Sequence, residues 1–318
     1  MRRFPDRRYY GRVASATGLP VGPLETVFRL ASFLADLTTT LDEELLLRGG
    51  TALNLLHLDM PRLSVDLDLD FVGSGDADEA TRRREPLLGE VERLARQAGY
   101  EIAVTRSSYA IAHRLLRYVD AHGRPASIKL DINFLDRVPV FTPDRLPLRH
   151  PYGDDVPVVM ITTFRLEELA AAKIVALVRR GLARDLFDVA QIAGQPQLEL
   201  DHVTDSLVVR GAAYPPPGPA DYTSGAGQSV RPVEWRSQVV SLARRDMRID
   251  LATARAESQL FLGKVLAFRS PHIDFLRALD RGALDATLLQ APAIADRVAC
   301  NPGLLWRLQR GAATLEER

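Results

Sequence analysis

Asp66, Asp68 and Asp70 alternate with Val65, Leu67, Leu69 and Phe71. A period of two residues puts the aspartates on one face of a strand and the apolar side chains on the other. Carboxylates so placed repel and raise one another's pKa unless a cation compensates. A hard divalent ion is the simplest compensation, because Mg²⁺ takes oxygen ligands and is commonly held by one or two carboxylates plus substrate phosphates. Asp66 and Asp68, with Cα atoms about 7 Å apart on a strand, could grip a metal pair. A solvated, charged edge strand is the alternative reading. A helix–loop–helix calcium site does not fit, since Phe71 stands at that motif's glycine and Ala77 at its bidentate glutamate.

Upstream, Gly49-Gly50-Thr51 follows a short apolar run and opens a segment of helical character. A glycine pair lets backbone N–H groups approach phosphate oxygens, and a following helix N-terminus favours anions. The spacing from Gly50 to Asp66 lets a helix cross back and lay the aspartate strand beside this turn. Ser127, Lys129, Asp131 and Asn133 form the polar face of a second alternating segment. Asp131 could accept a proton from an attacking hydroxyl or complete a metal shell. Ser64 and Lys129 join Gly49, Gly50 and Thr51 as candidate nucleotide contacts. Further on, Lys173 lies in an Ala-rich helical run, and Arg184-Asp185 with Asp188 could serve chemistry or simply open the next helix.

Lys173 also stands out by composition. Of 41 basic residues only Lys129, Lys173 and Lys264 are lysine, so the lysines that persist are candidates for positions needing a compact ammonium. Basic and acidic residues balance at net charge zero, so any nucleic-acid contact must use a local patch. Arg2, Arg3, Arg7, Arg8 and Arg12, interleaved with Phe4, Tyr9 and Tyr10, form such a patch in the manner of single-strand RNA contacts; a solubilising arm is the other reading. Arg82-Arg83-Arg84 reads as a solvated helix face, and Arg179-Arg180 as phosphate or surface contacts. His57 and His113 show no ligand spacing and read as structural. One cysteine, Cys300, excludes a disulfide framework and a Cys-rich zinc site.

The elements that must position these residues follow from periodicity. Leu24 to Leu34 reads as an amphipathic helix, and 45–56 as strand, tight turn and helix. Residues 77–98 read as mostly helical with a break or restart at Pro86. Strands follow around Tyr100–Arg106 and Ala110–Val119, then a turn at 120–125 before the Asp131 strand. Phe164 to Arg180 is helical. Residues 211–232, with five prolines and four glycines, read as a loop or linker, and helices alone follow Glu234. The expected class is therefore α+β: an α/β domain with a mixed sheet over 1–160, then a mostly helical domain over 161–318. The charged N-terminus lacks a signal peptide's apolar stretch and no 18-residue apolar run exists, so a cytoplasmic protein without a membrane span is expected.

Leu46-Leu47-Arg48-Gly49-Gly50-Thr51-Ala52-Leu53 followed by Ser64-Val65-Asp66-Leu67-Asp68-Leu69 resembles the glycine and two-aspartate motifs of DNA polymerase β-like nucleotidyltransferases. Together with Glu167 to Leu177 and Arg184 to Asp188, it is similar to the AbiEii/AbiGii toxin family of type IV toxin–antitoxin and abortive-infection systems, over about residues 30–195. The resemblance implies Asp66 and Asp68 as metal ligands, Gly49, Gly50 and Thr51 as phosphate contacts, and Asp131 as the third carboxylate, catalytic or metal-binding. It implies Lys173 on the triphosphate and an essential Asp185, with Asp188 as the alternative. It further implies Mg²⁺, as one or two ions with Mn²⁺ an alternative, an NTP co-substrate, an RNA acceptor such as the tRNA 3′ end, and a cognate antitoxin. A small-molecule or protein hydroxyl acceptor, or a non-catalytic binding module, remains open from the residues alone.

Overall fold

The computed structural model describes residues 4–105, 108–247, 250–289 and 294–316. The chain divides into two compact units. The first comprises 1–137, 144–163 and 240–248, and the second comprises 138–143, 164–239 and 249–318.

The first unit is a seven-stranded mixed sheet with helices. Its strands are β1 (Leu45–Arg48), β2 (Asp66–Phe71), β3 (Glu101–Val104), β4 (Ile111–Val119), β5 (Pro125–Asn133), β6 (Asp144–Pro147) and β7 (Met160–Thr163), in spatial order β3-β4-β5-β2-β1-β7-β6. The β1/β7 and β2/β5 pairs are parallel and the others antiparallel. Helix α1 spans Arg7–Thr17 and α2 spans Val21–Leu41. Burial of Leu24, Val27, Leu30, Ala31 and Phe33, all fully enclosed, makes α2 a core helix. The glycine turn opens α3 (Gly49–Ala52), which continues into a π-turn over Leu53–His57. Helix α4 (Ala77–Gln97) buries Leu87, Leu88, Val91 and Ala95.

The second unit has no strand among its described residues and is built on α5 (Leu166–Arg180), α6 (Ala183–Ala193), α7 (Leu200–Ala212), α8 (Pro232–Trp235), α9 (Leu251–Val265), α10 (Ser270–Asp280), α11 (Ala295–Ala299) and α12 (Pro302–Glu316). One of its core clusters gathers Val208, Val209, Phe275, Leu279, Ile294, Val298 and Leu304.

Several expectations are corrected. Helix α4 passes through Pro86 without a break: Pro86 is exposed, so the carbonyl it leaves unbonded faces water while the buried stripe on the other side continues. Arg83 and Arg84 of that helix are engaged rather than simply solvated. Arg83 bridges Glu44 at 2.6 Å and Glu90 at 2.9 Å, and Arg84 caps the Ser108 and Tyr109 carbonyls over the Phe134 ring. The N-terminal aromatics face inward. Tyr10 is buried, and the Tyr9 and Tyr10 rings meet Phe28 edge-on at 5.9 and 6.0 Å, while the Phe4 ring carries the Arg29 guanidinium. They are therefore not free to stack on bases, and α1 offers only exposed Arg7, Arg8 and Arg12; Arg2 and Arg3 lie outside the described residues, as does Arg106. Residues 211–232 connect elements of one unit. Arg179 donates to the Pro215 carbonyl at 2.8 Å, and Tyr222 and Val230 are buried. The β6/β7 hairpin was not anticipated, because four-residue strands carrying a proline give little periodic signal.

Candidate active site

Strand register assembles the site. Across β1, β2, β5 and β4 one cross-strand row runs Arg48, Asp68, Asp131, His113, and the next holds Asp66 against Lys129. Side chains on directly paired residues share a face. The two aspartate-bearing segments therefore bring their carboxylates together on one polar face, while Leu67, Leu69, Leu130 and Ile132 fill the core beneath.

Asp131 is 7% exposed. Its Oδ1 accepts from His113 Nδ1 at 2.6 Å and its Oδ2 from Lys129 Nζ at 2.5 Å. Asp131's part in a metal shell, which the resemblance implies, requires one of these partners to give way. Asp70 is fully buried and pairs with Arg48 Nε at 3.0 Å, so this third aspartate of the strand is spent on a neighbouring cation. Among the described residues no basic side chain forms an ion pair with Asp68.

The glycine turn is fitted to these carboxylates. Gly49 has φ +74°, in the left-handed region, and a Cβ there would fall 2.7 Å from Asp68 Oδ2. The turn thus needs glycine for its backbone and for the space above Asp68. At Gly50 a Cβ would come within 2.9 Å of Arg62 Nη2 and Ser64 Oγ. The Thr51 hydroxyl donates to the Asp66 carbonyl at 2.5 Å and lies 3.1 Å from the Ser64 hydroxyl. Thr51 and Ser64 thereby tie the turn to the start of the aspartate strand. Asn54 extends the brace, donating to the Gly50 carbonyl at 2.7 Å. A later stretch of the same unit packs beside the segment that leads into β2: Leu63 N–H bonds the Leu242 carbonyl at 2.8 Å, and Arg244 reaches Asp59 at 3.0 Å.

These donors fit a divalent ion in one respect. Asp66 and Asp68 stand two residues apart on β2, a spacing that puts both carboxylates on one face, and the Gly49 position keeps room above Asp68 that any side chain would fill. Among the described residues no three His, Cys, Asp or Glu side chains form an all-protein cage. A Mg²⁺ site sharing its shell with phosphates and water needs none.

Lys173 and Asp185 lie in the second unit. Lys173 Nζ is 2.8 Å from Asp188 Oδ2 and 3.4 Å from Asp185 Oδ1, and Arg180 holds Asp185 at 2.6 Å. Both aspartates are fully buried. The network sits on α5 and α6, where Asp185 occupies the first turn and no side chain caps the helix. Nearby, Glu168 accepts from the Val140 and Phe141 amides, each at 3.0 Å, and from Arg210 at 3.2 Å. Burial pushes its carboxyl above the ordinary range against the pull of these donors.

Sequence reasoning read His113 as structural and did not anticipate its contact with Asp131, nor the Arg48–Asp70 pair. The signal for His113 was present in the turn at 120–125, because a hairpin closing Val119 on Pro125 sets His113 opposite Asp131. Arg48 directly precedes the glycine pair, and its role appears only once β1 is known to pair antiparallel with β2.

No helix among the described residues is long and apolar enough to cross a membrane. A search of curated proteins finds no match. Among solved structures, MenT4, a nucleotidyltransferase toxin from Mycobacterium tuberculosis H37Rv, aligns over 98% of this chain and 99% of its own at 18% identity, with a TM-score of 0.62. A putative nucleotidyltransferase from H. pylori aligns over 76% of this chain and 94% of its own at 19% identity, with a TM-score of 0.45. The MenT4 likeness shows a shared fold. The sequence itself matches the AbiEii family, described as nucleotidyl transferase AbiEii toxin of type IV toxin–antitoxin systems, over residues 32–281. The chain therefore belongs to the AbiEii nucleotidyltransferase toxin family.

Proposed function

We propose that this nucleotidyltransferase moves a nucleoside monophosphate from an NTP to an RNA hydroxyl, the 3′ end of tRNA, with a divalent ion, Mg²⁺ or Mn²⁺, as cofactor. The observation that carries the reading is the cross-strand pairing of Asp68 with Asp131 beside Gly49. In the reaction the acceptor oxygen bonds to the α-phosphorus, the bond to the β-phosphate oxygen breaks, and pyrophosphate leaves. Asp66 and Asp68 would hold the ion, which supplies Lewis-acid polarisation of phosphate oxygens. With no Cβ at Gly49 or Gly50, phosphate oxygens would be able to approach the backbone N–H groups of the turn, and Thr51 and Ser64 hold that turn against β2. Lys129, half-exposed on a flexible stem, can swing from Asp131 to a phosphate. Asp131 accepts the proton of the attacking hydroxyl.

The roles that family resemblance implies for Lys173, on the triphosphate, and for Asp185 belong to the same proposal, as do chemistry in the first unit and a cognate antitoxin. Arg7, Arg8 and Arg12 supply exposed charge for phosphate contacts. Blocked tRNA would arrest translation and growth in the cytoplasm.

The test is incubation of the chain with total bacterial RNA and each α-³²P-labelled NTP, with Mg²⁺ or with excess EDTA. Label on tRNA-sized RNA, abolished by EDTA, is the expected result and names the nucleotide. Transfer only to a small molecule or protein, or none, overturns the RNA acceptor.

A further inference from the structure

We infer that His113 is a positioning residue for the Asp131 carboxylate, and this rests on the nucleotidyl-transfer reading of the site. Asp131 lies on β5 with its carboxylate almost wholly enclosed, and two side chains hold its two oxygens. They are not equivalent. Lys129 is half exposed on four methylenes and shares its strand with Asp131, so it can leave when a phosphate competes for the ammonium. His113 projects from the directly paired position of β4 on a short, stiff side chain. Its imidazole meets Oδ1 at 2.6 Å, whereas Lys129 takes the other oxygen, Oδ2.

The terminal torsion of an aspartate is broad and roughly two-fold, so a carboxylate with no fixed partner samples many orientations. A charge-assisted hydrogen bond from the neighbouring strand removes that freedom. Ionised Asp131 can only accept, so the shared proton belongs to His113 Nδ1 and the tautomer is fixed. The Asp131 oxygens then face a hydroxyl in one orientation, and positioning of this kind is worth far more to the reaction step than to nucleotide binding.

The experiment compares His113→Ala, His113→Asn and His113→Gln with wild type in the labelled-NTP transfer to total RNA. His113→Ala should slow transfer at saturating NTP by about 10–100-fold, the usual cost of losing a partner that orients a catalytic ligand. The half-saturating NTP concentration should stay within about two-fold, since ground-state binding is untouched. The asparagine amide nitrogen can take the place of Nδ1, so His113→Asn should restore most of the rate, whereas the glutamine amide is one methylene too far and should not. In an Asp131→Asn background, His113→Ala should cost almost nothing more, because both changes remove one interaction. A normal rate for His113→Ala, equal losses for the asparagine and alanine variants, or additive losses in the double variant overturns the inference. An inactive Asp68→Asn beside a normal His113→Ala would sink this inference alone, while an active Asp68→Asn would sink the reading of the site. Imidazole ¹⁵N spectra of the wild-type chain test the contact without activity. They should show His113 as the Nδ1–H tautomer, changed by Asp131→Asn, and an Nε2–H tautomer overturns it.

Discussion

Substituting Gly49 by alanine separates backbone strain from crowding of the site. An L-residue in the left-handed region costs about 1–2 kcal/mol, and Gly49 holds φ +74°. Gly123 provides the control: it has φ +78° in the β4–β5 turn, and nothing lies within 4 Å of a Cβ built there. Gly123→Ala should therefore cost the strain alone, a fall in Tm of roughly 2–8 °C at about 2–4 °C per kcal/mol for a unit of this size, with transfer activity unchanged. Gly49→Ala carries the same strain and also puts a methyl 2.7 Å from Asp68 Oδ2. The carboxylate must rotate or the turn must lift, and a displacement of about 1 Å at a reacting centre can cost on the order of 100-fold in rate. Differential scanning fluorimetry and labelled-NTP transfer on both variants decide the matter. Equal activity for Gly49→Ala and Gly123→Ala would refute the idea that the glycine keeps room above Asp68.

Asp70→Ala removes the buried partner of Arg48. Breaking a buried pair costs about 3–5 kcal/mol, so urea unfolding should show a loss near 3 kcal/mol because Arg48 is partly exposed, and a loss under about 1 kcal/mol contradicts this role. Lys173→Met removes the ammonium that lies 2.8 Å from the buried Asp188 carboxylate and 3.4 Å from that of Asp185, and should cost about 3 kcal/mol, the lower end for breaking a buried pair. An unchanged unfolding midpoint would show that this lysine is structurally dispensable. Burial holds the His150 imidazole below its ordinary value of 6.5, so between that depressed value and 6.5 the unfolded chain binds the proton and the folded chain does not. Its contribution to stability is complete above pH 6.5 and falls as pH drops through that window. Tm measured between pH 5 and pH 8 should therefore fall less on the acid side for His150→Gln than for wild type, and identical slopes would contradict the effect.

The aspartate strand, the glycine turn and the Asp131 strand were legible in the sequence because each couples a two-residue period to a polar face, a pattern set by local geometry. Register between strands is a tertiary property. Hence Asp68 opposite Asp131, and Arg48 reaching Asp70, emerged only with the sheet, although the short β4–β5 turn already fixed His113. Asp70 looked equivalent to its neighbours in the alternation, and only complete burial with a cation beside it separates it from Asp66 and Asp68. The N-terminal aromatics were misread because composition does not say which way a ring faces: Tyr10 packs on Phe28, where any exposed base would find it enclosed. Pro86 was misread for the complementary reason, since an exposed helix face tolerates a lost hydrogen bond that a buried one would not.

The central claim is that the carboxylates gathered by the β2/β5 register perform the chemistry. It is tested most directly by single-turnover transfer from labelled NTP to tRNA-sized RNA with Asp68→Asn, a substitution that keeps the side chain's shape and removes its charge. The account predicts a fall of about 100–1,000-fold, the scale of losing one preorganised electrostatic group, with Tm close to wild type. Transfer within ten-fold of wild type would contradict it.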